Sequence, residues 1–157
     1  MKKILIALDY NPTAEKIAET GYTLAKSIGA EVILVHVVAE PNYYSTLEYS
    51  PVMGYTGFST PEMIMPIDDT EVKKASHEFL EQSKKHLGDD RITIIVREGD
   101  CAEAILEAAA ELNVDIIVMG THSRRGLDKI LMGSIAEKVL HHSDKPLFII
   151  PSKNEKK

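Results

Sequence analysis

The sequence has one cysteine, Cys101, no tryptophan and no excess of positive charge. A single cysteine excludes an intramolecular disulfide framework, and such sparse usage fits a reducing, cytoplasmic compartment. No apolar run approaches the roughly 20 residues that span a bilayer, so the chain reads as a soluble globular protein without a membrane partner. Lysine and arginine number 18 against 24 acidic residues, a formal net charge of −6. That balance argues against a general nucleic-acid binder, which needs cations to displace the counterions of phosphates, yet leaves room for one local phosphate site. The start, Lys2-Lys3 followed by Ile4-Leu5-Ile6-Ala7-Leu8, is basic and then apolar like a secretory signal. The run ends at Asp9, short of a signal's roughly 7–15 residues, and a buried first strand accounts for it.

What is present points to one α/β domain over residues 1–152, with 153–157 as a solvated tail; 157 residues suffice to bury a single core. Ile4–Leu8, Val32–Val38, Ile92–Val96, Ile116–Met119 and Leu147–Ile150 are apolar runs rich in Ile and Val. They do not alternate with polar residues, the pattern of strands covered on both faces of a parallel sheet. Helical patterns separate them. Asn11 can cap a helix with Pro12 at its first position, with Ala14, Ile17, Ala18, Gly21, Leu24, Ala25 and Ile28 on one face and Gly29 as its stop. A second is expected over about Thr70–Leu87, with Val72, Ala75, Phe79 and Leu80 inward and Asp68 or Asp69 near its positive end. A third follows Asp100 with Ile105, Ala108, Ala109 and Leu112, and a fourth begins near Gly133 with Ile135, Val139 and Leu140. The order β-α-β-α-β-α-β-α-β predicts a doubly wound, five-stranded, Rossmann-like parallel sheet with helices on both faces. Such sheets bind ligands beyond the carboxyl ends of their strands, at the switch point.

Residues 40–66 fit no element: four prolines, four tyrosines, three methionines and two glycines fall in 27 positions. A stretch of that length is either a functional lid or interaction surface, or a tolerated insertion.

After the fourth strand the chain runs from Met119-Gly120-Thr121-His122-Ser123-Arg124-Arg125-Gly126 to Gly133-Ser134-Ile135. Glycine lets backbone approach a ligand closely, and a helix's first amides with the Ser134 hydroxyl offer donors to phosphate oxygens. Arg124 and Arg125 add positive charge. Plain turns use the same glycines, so the residues alone leave both readings open. No Lys-Ser or Lys-Thr follows Gly126, and Asp9-Tyr10-Asn11-Pro12 follows the first strand, so neither a Walker A loop nor a dinucleotide fingerprint is present.

These segments resemble the universal stress proteins of the UspA type: the opening Lys-Ile-Leu-Ile-Ala-Leu-Asp, Leu34-Val35-His36-Val37-Val38, Gly99, Asp115-Ile116-Ile117-Val118-Met119-Gly120-Thr121-His122, and above all Gly133-Ser134-Ile135-Ala136-Glu137-Lys138-Val139-Leu140 with Lys145-Pro146-Leu147-Phe148-Ile149-Ile150. The ATP-binding branch of that family carries a Gly-x2-Gly-x9-Gly-Ser/Thr motif. Gly120, Gly133 and Ser134 match it, and Ser123 stands where the second glycine belongs. A serine held in a left-handed conformation costs about 1–2 kcal/mol, modest beside the roughly 8 kcal/mol of a micromolar complex, and its hydroxyl can itself donate to phosphate.

The resemblance implies ATP or another adenine nucleotide (ADP, AMP or cyclic AMP) as ligand. It implies Asp9 on ribose or adenine with Ala7 on the same wall, Val37 at the adenine edge, Met119 and Gly120 along base and ribose, His122, Ser123 and Arg124 near the phosphates, and Gly133, Ser134 and Ile135 holding them through amides and hydroxyl. Mg or Mn would be held by phosphate oxygens, since no dedicated metal cluster is visible. A homodimer through antiparallel pairing of Leu147–Ile150 is implied, as is a stress-response regulator rather than an enzyme. A slow ATP hydrolase, with His122 as the one evident base, and a nucleotide-free interaction protein are the alternatives.

Against these stand plainer roles. Asp9 can simply end a strand. His36, inside an apolar strand, reads as a packed histidine; His141 and His142 adjoin a helix carboxyl end, where positive charge is favoured. Cys101 beside Asp100 lies near a helix start, a position that can lower a thiol pKa, but has no resolving cysteine.

Overall fold

In the computed structural model the described residues are 2–10, 12–38, 69–121 and 133–151. They form β1 (Lys3–Ala7), α1 (Ala14–Ile28), β2 (Glu31–Val38), α2 (Asp69–Leu87), β3 (Thr93–Glu98), α3 (Cys101–Glu111), β4 (Ile116–Gly120), α4 (Ser134–His142) and β5 (Leu147–Ile150). The strands make one parallel sheet in the order β3-β2-β1-β4-β5. The chain thus winds outward from β1 to β3, then returns to the other side of β1 with β4. The switch point lies between β1 and β4.

Strand residues alternate between two cores. Leu5, Val35, Val37, Ile117 and Met119 face α3 and α4, where Ile105, Ala108, Ala136 and Val139 are buried. Ile4, Ile6, Leu34, Val118 and Ile150 face α1 and α2, with Ile17, Ala18, Ala25 and Leu80. Covering on both faces explains why the central strands read as unbroken apolar runs. The edge strand β3 is only half-buried, and it runs from Thr93 to Glu98, past the apolar run and through Arg97.

α1 ends as expected: Gly29 is left-handed (φ 67°), and the Ala30 amide donates to the Ala25 carbonyl at 2.8 Å, a Schellman closure. Its start differs. Helix begins at Ala14, with Thr13 at the cap position and its carbonyl accepting from the Ile17 amide at 3.0 Å. Pro12 therefore sits in the preceding turn, for which its locked φ is equally suited; Asn11 lies outside the described residues. Ile28 and Leu140 are exposed, at 42% and 49%.

In α2 the inward stripe is Val72, Ser76, Phe79 and Leu80, not Ala75, which is exposed. Positions 72, 76, 79 and 80 lie on one 3.6-residue face. The fully buried Ser76 is tolerated there because its hydroxyl meets the Tyr10 hydroxyl at 3.2 Å. α3 is capped by Asp100, whose carboxylate accepts from the Glu103 amide at 3.0 Å. Gly99 before it has φ 115°, a conformation L side chains rarely adopt. No described helix is long and apolar enough to cross a membrane.

Candidate functional site

Where β1 and β4 end, a cleft opens at the carboxyl edge of the sheet, lined from both of its faces. Its floor is Ala7, Val35, Val37 and Met119; one wall is Leu8, Asp9, Thr13 and Ile17, and the other Cys101, Ile105, Ile135 and Ala136, with Gly120 at the rim. Six of the residues singled out from sequence, Ala7, Asp9, Val37, Met119, Gly120 and Ile135, are thereby brought together. The Leu8 amide donates to the Val35 carbonyl at 2.9 Å, which extends the β1–β2 pairing one step and holds Asp9 at the mouth.

Gly133 and Ser134 stand beside this wall at the amino end of α4. Gly133 is the cap, with extended backbone and no side chain to bond the first turn. Its own amide donates to the Thr121 carbonyl at 2.6 Å. The Gly133 amide is therefore committed within the protein, and the donors that α4 presents to a ligand are those of its first turn from Ser134 onward, which lack intrahelical acceptors. Ser134 is exposed. His122, Ser123 and Arg124, like the 40–66 segment, lie outside the described residues.

Of the cleft residues given no ligand role from sequence (Leu8, Thr13, Ile17, Val35, Cys101, Ile105 and Ala136), Cys101 alone carries a thiol. It is the first residue of α3, two positions beyond the Gly99 turn, and so sits at the carboxyl edge where this topology places ligands. Its thiol is not activated: burial pushes its pKa up, and the carboxylates of Asp100 and Asp9 push it further. The cleft is an apolar slot closed by one carboxylate at the mouth and a helix amino terminus beside it. That donor and acceptor set fits a flat, mostly apolar ring whose attached sugar offers hydroxyl donors to Asp9 and whose anionic end meets α4.

Comparison with known proteins gives the same location in the protein world by three routes. The family model described as "Universal stress protein family" matches residues 1–151. Universal stress protein MJ0577 of Methanocaldococcus jannaschii is 34% identical over 158 aligned positions, covering 98% of this chain and 96% of the relative. Stress response protein NhaX of Bacillus subtilis is 28% identical, covering 94% and 96%. Among solved structures, that of MJ0577 superposes with a TM-score of 0.71 at 30% identity, with 98% of both chains covered. A universal stress protein in complex with cAMP superposes with a TM-score of 0.61 at 18% identity, covering 97% and 98%, a likeness of fold.

Proposed function

Because the chain belongs to the universal stress protein family, we propose that it is an adenine-nucleotide-binding regulator whose ligand occupies the cleft between β1 and β4. The observation that carries this reading is the convergence of Asp9, the Met119–Gly120 strand end and the start of α4 on one apolar slot. In this reading Ala7, Val37 and Met119 cover the base, Asp9 accepts from ribose hydroxyls, and Ser134 with the amides that follow receives phosphate. His122, Ser123 and Arg124 complete the phosphate end, and any Mg or Mn rides on phosphate oxygens. The fold neighbour solved with cAMP adds support for this ligand class.

Nucleotide occupancy would fix the two cleft walls, which carry the starts of α1, α3 and α4, and so bias the loops that join them. Output through a homodimer is part of the proposal. β5 is an edge strand of the sheet, available for antiparallel pairing with a second copy.

The test is a calorimetric titration with ATP, ADP, AMP and cyclic AMP, alongside mass spectrometry of nucleotide extracted from freshly purified protein. At least one of the four should bind, and Asp9→Ala should weaken it roughly tenfold or more, the worth of a hydrogen bond to a charged group. Indifference to all four at millimolar concentration would establish the nucleotide-free interaction protein instead.

A further inference from the structure

On the α1/α2 face, away from the cleft, Glu15 and Glu19 of α1 meet His86 near the end of α2. The His86 Nε2 lies 2.6 Å from Glu19 Oε1 and 3.0 Å from Glu15 Oε1, and the three atoms all lie within 4.8 Å of one another. All three side chains are about half exposed, at 46%, 54% and 66% for His86, Glu19 and Glu15. We propose that these three side chains form a site for one divalent transition-metal ion of the zinc or cobalt class, clipping α1 to α2.

The chemistry starts from a mismatch. Glu15 and Glu19, four apart on one helix, are like charges on neighbouring turns, an unfavourable arrangement by itself. Both carboxylates turn to the same imidazole nitrogen, which has one proton to give, and it goes to Glu19. A divalent ion in place of the proton takes the nitrogen lone pair and both oxygens at once. Bonds of about 2.0–2.2 Å in tetrahedral geometry place ligand atoms about 3.3 Å apart, so the His86 contacts to Glu15 and Glu19, at 3.0 and 2.6 Å, need to open by less than about 1 Å, within reach of exposed side chains. One imidazole with two carboxylates suits Zn, Co, Ni or Cu rather than Mg or Ca, which prefer more numerous, all-oxygen ligands.

The frame around the cluster is already fixed. One turn along α1, the Tyr22 hydroxyl donates to Asp89 Oδ2 at 2.9 Å, and Arg91 grips Asp89 through its amide and guanidinium at 2.9, 3.1 and 3.2 Å. This second tie between α1 and the end of α2 sets the helix spacing without help from the three ligands, so the site is preorganised. His86 lies 67 positions from Glu19 in sequence, which is why no metal pattern was visible there.

The experiment is calorimetry of the full chain, stripped of nucleotide, with Zn²⁺ alone, and the visible spectrum of the protein with Co²⁺ alone. Working without nucleotide separates this site from any ion carried on phosphates. One Zn²⁺ per chain should bind, and Co²⁺ should show the absorption of a nitrogen/oxygen-ligated ion. His86→Ala and Glu19→Gln should each weaken Zn²⁺ binding at least about tenfold, the loss that even an outer-shell partner causes. His77→Ala and His141→Ala, whose imidazoles pair only loosely with Glu81 and Glu137 at 3.7 and 3.8 Å, should bind as the parent does. Absence of saturable binding, or His86→Ala binding as tightly as the parent, would overturn the proposal.

Discussion

His36 Nδ1 donates to the Leu8 carbonyl at 2.8 Å, tying the middle of β2 to the residue that precedes Asp9 at the cleft mouth. The ring is 96% hidden on the α1/α2 face, tilted against Tyr10 at 4.7 Å and edge-to-face with Phe79 at 5.6 Å, and its Nε2 has no partner among the described residues. Burial pushes its pKa down, against the smaller upward pulls of the Leu8 bond and the Asp9 charge.

The sign of the resulting pH dependence follows. A histidine with a depressed folded pKa leaves the unfolded chain binding more protons, so stability rises with pH. This contribution is fully present above the unfolded value of about 6.5 and is lost as pH falls through the folded value. His36→Asn keeps a donor for Leu8 and cannot titrate. Urea unfolding from mildly acidic to mildly alkaline pH should show the parent weakening on the acid side and His36→Asn weakening less. Equal slopes would show that His36 does not carry the effect. His36→Leu should lose about 1–3 kcal/mol above the unfolded value by leaving the Leu8 carbonyl unpaired, and less in acid, where the parent itself weakens.

Gly21 faces the sheet where a helix residue would ordinarily gain from a side chain. A Cβ there would stand 2.7 Å from Ile6 Cδ1, 3.1 Å from Ile6 Cγ1 and 3.2 Å from Val118 Cγ1. Both neighbours are fully buried, so neither has room to yield. Propensity favours alanine by about 0.5–1 kcal/mol, while overpacking costs about 1–3 kcal/mol. Gly21→Ala should therefore lower stability by roughly 1 kcal/mol net, seen as a lower urea midpoint with an unchanged slope. A more stable variant would mean that α1 moves away from β1 at little cost.

The order of elements, the parallel sheet and the place of the cleft were legible because burial on both faces writes continuous Ile/Val runs and the crossover rule then fixes a carboxyl-edge site. Strand order was not, since nothing in the runs of β3 and β5 distinguishes an edge from a centre until pairing is known. Ser76 was missed because a buried hydroxyl satisfied by Tyr10 is invisible to a hydrophobic pattern. For Cys101 the sequence left the sign open: its position at a helix start can lower a thiol pKa, whereas its surroundings of apolar wall and two carboxylates oppose the thiolate.

That opposition makes a kinetic prediction. With burial first, and then Asp100 and Asp9, raising its pKa, Cys101 should react with an aromatic disulfide reagent more slowly than a free thiol near neutrality. Its rate should inflect above the ordinary thiol value of about 8.5. Asp9→Asn, by removing one opposing charge, should speed the reaction. An inflection below the ordinary value would contradict the geometry. Since Cys101 lines the cleft, a bound nucleotide should slow labelling further.

Asp100 links two elements of the cleft wall: it caps α3 through the Glu103 amide at 3.0 Å and meets Lys138 Nζ of α4 at 3.2 Å. The two bonds differ in worth. The Lys138 pair is about half exposed on both sides, which limits it to at most a fraction of 1 kcal/mol, whereas a lost cap costs about 0.5–2 kcal/mol. Asp100→Ala should thus lower Tm by roughly 2–4 °C per kcal/mol lost, Asp100→Asn by less because an amide oxygen still caps, and Lys138→Ala hardly at all. The Glu103 bond, ahead of Lys138, holds the Asp100 carboxyl below its ordinary range. Its stabilisation is therefore present above the unfolded value of about 3.9 and drains away as pH falls through the folded one, so the gap between parent and Asp100→Ala should narrow in acid. Calorimetric melting across that range checks this; a gap independent of pH, or a Lys138→Ala loss equal to that of Asp100→Ala, would place the energy in the wrong bond.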